Sequence, residues 1–416
     1  MTRKARMKIS PSTAKGVMMA PPSKSMAHRH LICGALANGK SVINNIDLSE
    51  DIKATLSCIK QLGASAEVVA GEGANQIIVE GAGDFIKNGA RGTDLVKNRL
   101  FNCNESGSTL RFFIPLAMLK VAPAKFIGSQ VLMTRPLSVY ETICQQQNIK
   151  LVHVEGGIEV EGKLNSGIFE VPGNISSQFI TGLLFTLPLL EGDSKIVLTE
   201  SVESKPYIDM TLQVQKEFGI KADWENENTL VVPGGQTYLA HDGAVEGDYS
   251  NAAFFEALNY IGGSVEVQGL RKDSLQGDKV YLELFKELAA GNAKIDISDC
   301  PDLGPILLTM AAALNGGEFT GTKRLAIKES NRGAVMCQEL AKFGIKSLQE
   351  ENRIVIYPGK PVKPVETVLG HNDHRIVMSM ATLLTVTGGQ LEGVEAVRKS
   401  LPDYFERVRK LGIKAE

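Results

Sequence analysis

Six stretches of this chain carry the same order of signals, and any fold assigned to it must explain that repetition. A small-residue turn leads into a short β-rich run, then a loop, a segment of helical periodicity, and in most copies a glycine followed by an apolar residue. Gly39-Lys40-Ser41-Val42-Ile43 runs to Leu62-Gly63-Ala64, and Gly192-Asp193-Ser194-Lys195-Ile196-Val197 to Phe218-Gly219-Ile220. Gly262-Gly263-Ser264-Val265 runs to Ala290-Gly291, Gly316-Gly317-Glu318-Phe319 to Phe343-Gly344-Ile345, and Gly388-Gly389-Gln390-Leu391 to Leu411-Gly412-Ile413. A weaker copy runs from Pro123-Ala124-Lys125-Phe126-Ile127 to Asn148-Ile149. Roughly 23 to 28 residues separate turn from closing glycine, room for one strand and one helix.

Several copies continue into alternating β segments, as in 221–232 around Glu225-Asn226-Glu227-Asn228 and 346–357 around Glu350-Glu351-Asn352, so the unit reads as strand, helix, hairpin. An ordinary α/β protein with coincident glycine turns is the plain alternative, and it leaves the shared order of signals unexplained. The spacing is wrong for a helical solenoid, and the count is wrong for an eightfold barrel. Two lobes of three units each fit, with a cleft between them. The turn-rich Pro21-Pro22 and Gly243 to Asp248 are the expected crossings, giving one lobe from 1–22 and 247–416 and an inserted lobe from 23–246, with hinges near 21–23 and 243–248.

A length of 416 residues suits two cores. Lys plus Arg (45) nearly balances Asp plus Glu (47), so no global basic field invites nucleic acid, and an anion site must be built from a few local cations. Cys33, Cys58, Cys103, Cys144, Cys300 and Cys337 show no CxxC or zinc spacing and read as reduced thiols, mostly core filler. The opening Met1-Thr2-Arg3-Lys4-Ala5-Arg6 lacks an apolar run behind it, and stretches such as 179–190 are too short for a bilayer span. A cytoplasmic location, or a mature organelle form, is expected, with no membrane partner.

Five clusters and two isolated residues carry the chemistry. Pro22-Ser23-Lys24-Ser25-Met26-Ala27-His28-Arg29 starts a helix read over 27–37, placing Lys24, Ser25 and Arg29 around a helix N-terminus suited to an anion. Glu105-Ser106-Gly107-Ser108-Thr109-Leu110-Arg111 brings small residues into an apolar helix, letting backbone N–H groups approach a phosphate or carboxylate; it lacks the Gly-Lys-Ser/Thr ending of an ATP-binding loop. Pro172-Gly173-Asn174-Ile175-Ser176-Ser177-Gln178-Phe179 offers hydroxyls and an amide suited to a polyol or phosphate, and Ser204-Lys205-Pro206-Tyr207 adds polar groups. Arg324, Lys328 and Arg332 are spaced by four, so a helix is expected to align them beside Glu329. His371-Asn372-Asp373-His374-Arg375 opens an apolar helix and lacks zinc-site spacing, so no metal is expected. Asp302 precedes a helical run and Lys399 precedes Leu401-Pro402-Asp403. Each cluster alone also reads as a capped helix or a solvated edge.

Taken in order, these clusters resemble the family of 5-enolpyruvylshikimate-3-phosphate synthases from about Ile9 to Glu406. Pro22-Ser23-Lys24-Ser25, Ser176-Ser177-Gln178, Ser204-Lys205-Pro206-Tyr207, Lys328-Glu329-Ser330-Asn331-Arg332 and Asn372-Asp373-His374-Arg375 carry the resemblance in combination. It implies an α/β, two-lobed enolpyruvyl-transferase fold, each lobe three βαβαββ repeats in an inside-out α/β barrel, with the active site in the interdomain cleft. It implies transfer of the enolpyruvyl group of phosphoenolpyruvate to the 5-hydroxyl of shikimate 3-phosphate through a tetrahedral addition–elimination intermediate, on the route to chorismate and aromatic amino acids. Lys24, Gly107, Arg111, Arg135, Gln178, Asp302, Glu329, Arg332, His374, Arg375 and Lys399 would then surround phosphoenolpyruvate. Ser25, Arg29, Ser176, Ser177, Ser204, Arg324 and Lys328 would hold shikimate 3-phosphate, with Lys24, Gln178 and Asp302 touching it as well. Arg324 stands where other members carry Asn, Glu105 where some carry Asn, and Asn331 where an acidic residue is common.

The residue types suit that chemistry. A hydroxyl must lose a proton while a methylene gains one, which two carboxylates in different environments divide between them. Asp302 is assigned the hydroxyl proton and Glu329 the methylene proton, with Lys24 assisting; His374 and Lys399 complete the catalytic set. Arg111, Arg135, Arg332 and Arg375 balance a carboxylate and a phosphate. No metal or organic cofactor is needed, and a monomer is expected. The related transferase acting on a UDP-linked amino sugar favours a Lys-Asn pair early and a reactive loop Cys; this chain has Lys24-Ser25 and no Cys around 132–135. A non-catalytic anion- or RNA-binding protein would need basic and aromatic stripes, whereas aromatics are 6%.

Overall fold

The computed structural model describes residues 5–71, 74–88, 99–120 and 122–416; the basic opening residues Met1 to Lys4 lie outside them. The chain divides into a terminal unit, Met1–Ser23 with Glu246–Glu416, and an inserted unit, Lys24–Val245. Among the described residues there are six sheets, three in each unit.

One pattern generates most of them. Strand Ile168–Val171 leads into helix Ser177–Thr186, and strand Ser194–Leu198 returns parallel to the first. Helix Lys205–Glu217 then crosses back, and the hairpin of Asp223–Asn226 and Thr229–Val232 adds antiparallel, with Thr229–Val232 innermost. The segments from Arg99–Asn102 to Gly157–Glu161 and from Lys294–Asp296 to Arg353–Ile356 build sheets of the same order. This is the βαβαββ unit.

Two repeats are completed by chain from elsewhere. Arg6–Ser10 supplies the strand between Gly389–Glu392 and Lys414–Ala415, so the last repeat is finished by the first strand of the chain. Ala37–Ile46 takes its parallel neighbours from Tyr238–Leu239 and Gly243–Ala244, the end of the inserted unit. The remaining repeat departs from the expected strand–helix–hairpin unit. Lys15–Met19 pairs in parallel with Ser264–Gln268, helix Tyr281–Ala290 follows, and the chain enters Lys294–Asp296 with no hairpin between. Only Gly291, Asn292 and Ala293 separate those elements, too few for two strands and a turn.

The helices fall into two classes. Those joining parallel strands are buried on all sides: Gly304–Ala313 buries every residue from Gly304 to Ala312, and His374–Thr387 every residue from His374 to Thr385. The outer class is amphipathic, as in Tyr281–Ala290, which buries Tyr281, Leu284, Phe285 and Leu288 at the spacing of one helical face. A helix submerged in apolar neighbours must satisfy its first N–H groups locally. Ser106, Ser176, Asp248 and Asp373 do so, each accepting from a backbone N–H two or three residues ahead. Polar residues are thereby concentrated at the starts of the inner helices. No helix among the described residues is long and apolar enough to cross a membrane.

Candidate functional site

In the inserted unit the inner helices are Lys24–Leu36, Gly107–Ala117 and Ser177–Thr186. The first begins at Lys24 rather than Ala27, so Lys24 and Ser25 lie in its opening turn. Lys24 Nζ sits 2.8 Å from an Asp51 carboxylate oxygen. Arg29, one turn on, is buried, and burial lowers its guanidinium to about 10. It donates to the carbonyls of Ser25 and Tyr207, both at 2.7 Å, and to Thr211 Oγ1 at 2.9 Å. Arg29 is thus a brace between the Lys24 helix and the helix behind Ser204.

Gly107, Arg111, Arg135 and Gln178 converge. Arg111 donates to Gln178 Oε1 at 2.7 Å and lies 5.0 Å above the Phe179 ring, while Gln178 Nε2 reaches Ser108 Oγ at 2.9 Å. A methyl group at Gly107 would stand 2.6 Å from Arg135 Nη1 and 3.6 Å from Arg111 Nη1. The loop is fixed from behind by a chain of hydrogen bonds: His28 Nδ1 to Thr55, Thr55 to Thr109, and Thr109 to the cap Ser106, each 2.8 Å. Burial, then Lys24 and Arg29, push His28 well below its ordinary pKa, so its ring is neutral. Ser176 caps the third helix, Ser177 is buried beside it, and Ser204 is buried at φ 58°, in the left-handed region.

In the terminal unit, Arg375 joins three inner-helix starts. Its Nη1 donates to Ser250 Oγ at 2.7 Å and to the Asp302 carbonyl at 2.9 Å; its Nη2 lies 3.2 Å from Asp302 Oδ2. Asp302 Oδ1 takes Arg332 Nη1 at 3.0 Å and Lys328 Nζ at 3.2 Å. Burial alone would raise the Asp302 carboxyl, but Arg375, Lys328 and Arg332 outweigh it and hold the group well below the usual carboxylate range. Burial lowers the Lys328 ammonium and Asp302 raises it, but Arg324 and Arg332 add to the lowering, which prevails. Arg332 is fully enclosed, its Nε 2.8 Å from Asp373 Oδ2 and its Nη2 paired with Glu329. Arg375, Arg332 and Lys328 therefore surround one partly exposed carboxylate. His374 opens its helix with Nδ1 4.0 Å from Asp373 Oδ1, and Lys399 donates to the Asn372 carbonyl.

The expectation of one helix aligning Arg324, Lys328 and Arg332 is overturned. Arg324 lies in a 3-10 turn over Lys323–Ile327, Lys328 is extended, and Arg332 is the first residue of helix Arg332–Lys342. Three cations four apart on a continuous helix would repel; the broken backbone lets Lys328 and Arg332 meet Asp302 while Arg324 donates to the Ser298 carbonyl at 3.4 Å. Sequence reasoning also passed over Asp51, Ser250 and Asp278. The last is a buried carboxyl pushed up to about 6 by burial, by Asp302 and, more weakly, by Asp248, against Arg375 and a Ser250 hydrogen bond. Asp51 and Ser250 sit in helix starts like those singled out, which is the signal that marked them. No group of three or more His, Cys, Asp or Glu suited to a metal ion occurs among the described residues.

The sequence pattern of the family described as EPSP synthase (3-phosphoshikimate 1-carboxyvinyltransferase) matches residues 9–408. A 3-phosphoshikimate 1-carboxyvinyltransferase of Clostridium beijerinckii is 40% identical over 428 aligned residues, covering 98% of this chain and 97% of that protein. One from Clostridioides difficile is also 40% identical, over 431, with the same coverage. Among solved structures, an EPSP synthase from Acinetobacter baumannii superposes with a TM-score of 0.78 over 99% of both chains at 22% identity, a likeness of fold.

Proposed function

Because this chain belongs to the EPSP synthase family and transfers the enolpyruvyl group of phosphoenolpyruvate to shikimate 3-phosphate in aromatic amino-acid biosynthesis, we propose that its clustered helix starts are the substrate-binding and proton-transfer groups. The observation that supports this most directly is the set of Arg375, Arg332 and Lys328 around the single carboxylate of Asp302. Phosphoenolpyruvate brings a carboxylate and a phosphate, and the second substrate another phosphate, so the site must supply cations in a place that excludes water.

In this reading, Ser25, Arg29, Ser176, Ser177 and Ser204 of the inserted unit, with Lys24 and Gln178, hold shikimate 3-phosphate. Arg324, Lys328 and Asp302 of the terminal unit contribute to the same substrate. Lys24, Gly107, Arg111, Arg135 and Gln178, together with Arg332, Arg375, Lys399 and His374, serve phosphoenolpyruvate. The 5-hydroxyl attacks C2 while its proton passes to Asp302 and Glu329 delivers a proton to C3, with Lys24 assisting. Phosphate then leaves C2 while the C3 methyl returns a proton to the Glu329 carboxylate, restoring the double bond as the enol ether.

The free chain's geometry adds a condition to this scheme. Held far down by Arg375, Lys328 and Arg332, Asp302 is a weak base as it stands. When arriving anions draw Arg375 and Arg332 toward themselves, the field on Asp302 falls and its affinity for the hydroxyl proton rises. Substrate binding thus switches on the base. The chain acts as a monomer in the cytoplasm, with small molecules as its partners.

Phosphate release is expected only when both substrates are present. Lys24→Ala and Glu329→Gln should each lower turnover by about three orders of magnitude while leaving thermal unfolding close to that of the parent. Near-normal turnover in folded Glu329→Gln would remove Glu329 from the scheme, and no phosphate release by the parent chain would remove the scheme itself.

A further inference from the structure

Helix Arg332–Lys342 packs through Arg332, Gly333, Met336, Glu339 and Leu340, so Glu339 occupies a position where a core residue is expected. Its side chain is completely buried. A carboxylate persists in such a place only if every lone pair has work to do. Glu339 Oε2 accepts from Lys342 Nζ at 2.7 Å and from the Leu369 backbone N–H at 2.9 Å, and Oε1 lies 2.8 Å from His371 Nε2. Burial pushes this carboxyl up, but the bonds from His371, Lys342 and Leu369 bring it below its ordinary value, so it stays ionised.

Glu339 follows Arg332 by seven residues, two helical turns, so the two side chains leave the same face about 10 Å apart along the axis. Arg332 holds Asp373 from one end, and Glu339 holds Leu369 and His371 from the other. The short run between these anchors contains two consecutive left-handed residues, His371 at φ 48° and Asn372 at φ 53°. That conformation is unfavourable for residues bearing a Cβ and persists where surrounding contacts impose it. It turns the Asn372 carbonyl to Lys399 and delivers Asp373, His374 and Arg375 to their helix start.

We propose that Glu339 is a positioning residue for the phosphoenolpyruvate groups: paired with Arg332 on one helix face, it clamps the Leu369–Asp373 run in its left-handed path and so places Lys399, His374 and Arg375. This rests on the assignment of those three residues to phosphoenolpyruvate. Glu339 itself touches no substrate.

The test uses the full chain with Glu339→Leu and Glu339→Gln. Gln keeps an acceptor for Leu369 and a partner for His371; Leu fills the space and keeps neither. Without any substrate, amide hydrogen exchange in peptides covering 369–375 should quicken in Glu339→Leu and stay near the parent rate in Glu339→Gln, while peptides of the inserted unit are unchanged. In turnover, Glu339→Leu should lose on the order of 100-fold in kcat/KM for phosphoenolpyruvate, as expected for slight misplacement of catalytic groups. The KM for shikimate 3-phosphate should stay within about twofold of the parent, and Glu339→Gln should recover most of the loss. Unchanged exchange over 369–375 in folded Glu339→Leu overturns the clamp, and so does an equal loss toward both substrates. Should the parent chain itself fail to turn over, the functional assignment falls, while the exchange measurement still decides whether Glu339 holds the segment.

Discussion

At Asp302 and Gly107 the surroundings of a single residue are close enough to give measurable consequences. The Asp302 carboxyl is held well below its ordinary range by Arg375, Lys328 and Arg332, so the folded chain prefers it ionised more strongly than the unfolded chain does. The resulting stabilisation is fully present above the unfolded value of about 3.9 and is lost as pH falls through the lower folded value. Asp302→Asn should therefore unfold at a lower temperature than the parent at pH 7, and the gap should narrow below about pH 4. A gap as wide at pH 3 as at pH 7 would show that charge is not its source. Gly107 makes a different kind of contact. Its added methyl would meet the far end of Arg135 at 2.6 Å, a flexible group that can move, and the residue opens a helix where Ala is favoured over Gly by roughly 1 kcal/mol. Gly107→Ala should keep or raise thermal stability while displacing Arg135. The KM for phosphoenolpyruvate should rise moderately, and the inhibition constant for glyphosate, the longer inhibitor of this family, should rise more. An unchanged ratio of the two constants would take Gly107 out of the pocket.

At the scale of elements, the inner helices explain why so much of the candidate site was visible beforehand. A helix buried on every side can display polar residues only where it begins, so cap, small residue and cation fall within one short motif, as in Ser106-Gly107 with Arg111 and Asp373-His374-Arg375. The segment from Arg324 to Arg332 was misread because spacing by four is also what a turn, an extended residue and a fresh helix produce. Ser204 marks another break in regularity. It precedes helix Lys205–Glu217 in the left-handed region, and its side chain makes no capping bond to that helix. Glycine takes this conformation without the roughly 1–2 kcal/mol that a Cβ incurs. Ser204→Gly should therefore melt at or above the parent temperature yet bind shikimate 3-phosphate more weakly, measured by calorimetry. A marked drop in melting temperature would instead make the Ser204 hydroxyl a structural group.

The whole molecule has two units, each with its own buried core. If both substrates draw on residues of both, ligand anions should relieve repulsion among the cations, and small-angle scattering should show a smaller radius of gyration with shikimate 3-phosphate than without it. No contraction at saturating ligand would count against that reading. The sequence by itself determined the repeating unit, its helix starts and the kinds of residue placed there, since periodicity, turns and caps are local properties acting over a few residues. It did not show that the Gly262 copy lacks a hairpin, nor that Arg6–Ser10 finishes the sheet of the final repeat, because sheet closure joins strands from opposite ends of the chain. Only the tertiary structure decided which carboxylate meets which cation. Lys24 finds Asp51 across 27 residues, Arg332 finds Asp373 across 41, and Arg375 finds Asp302 across 73 and Ser250 across 125. Coulomb energy depends on separation in space and on burial, and no local pattern of residues encodes either.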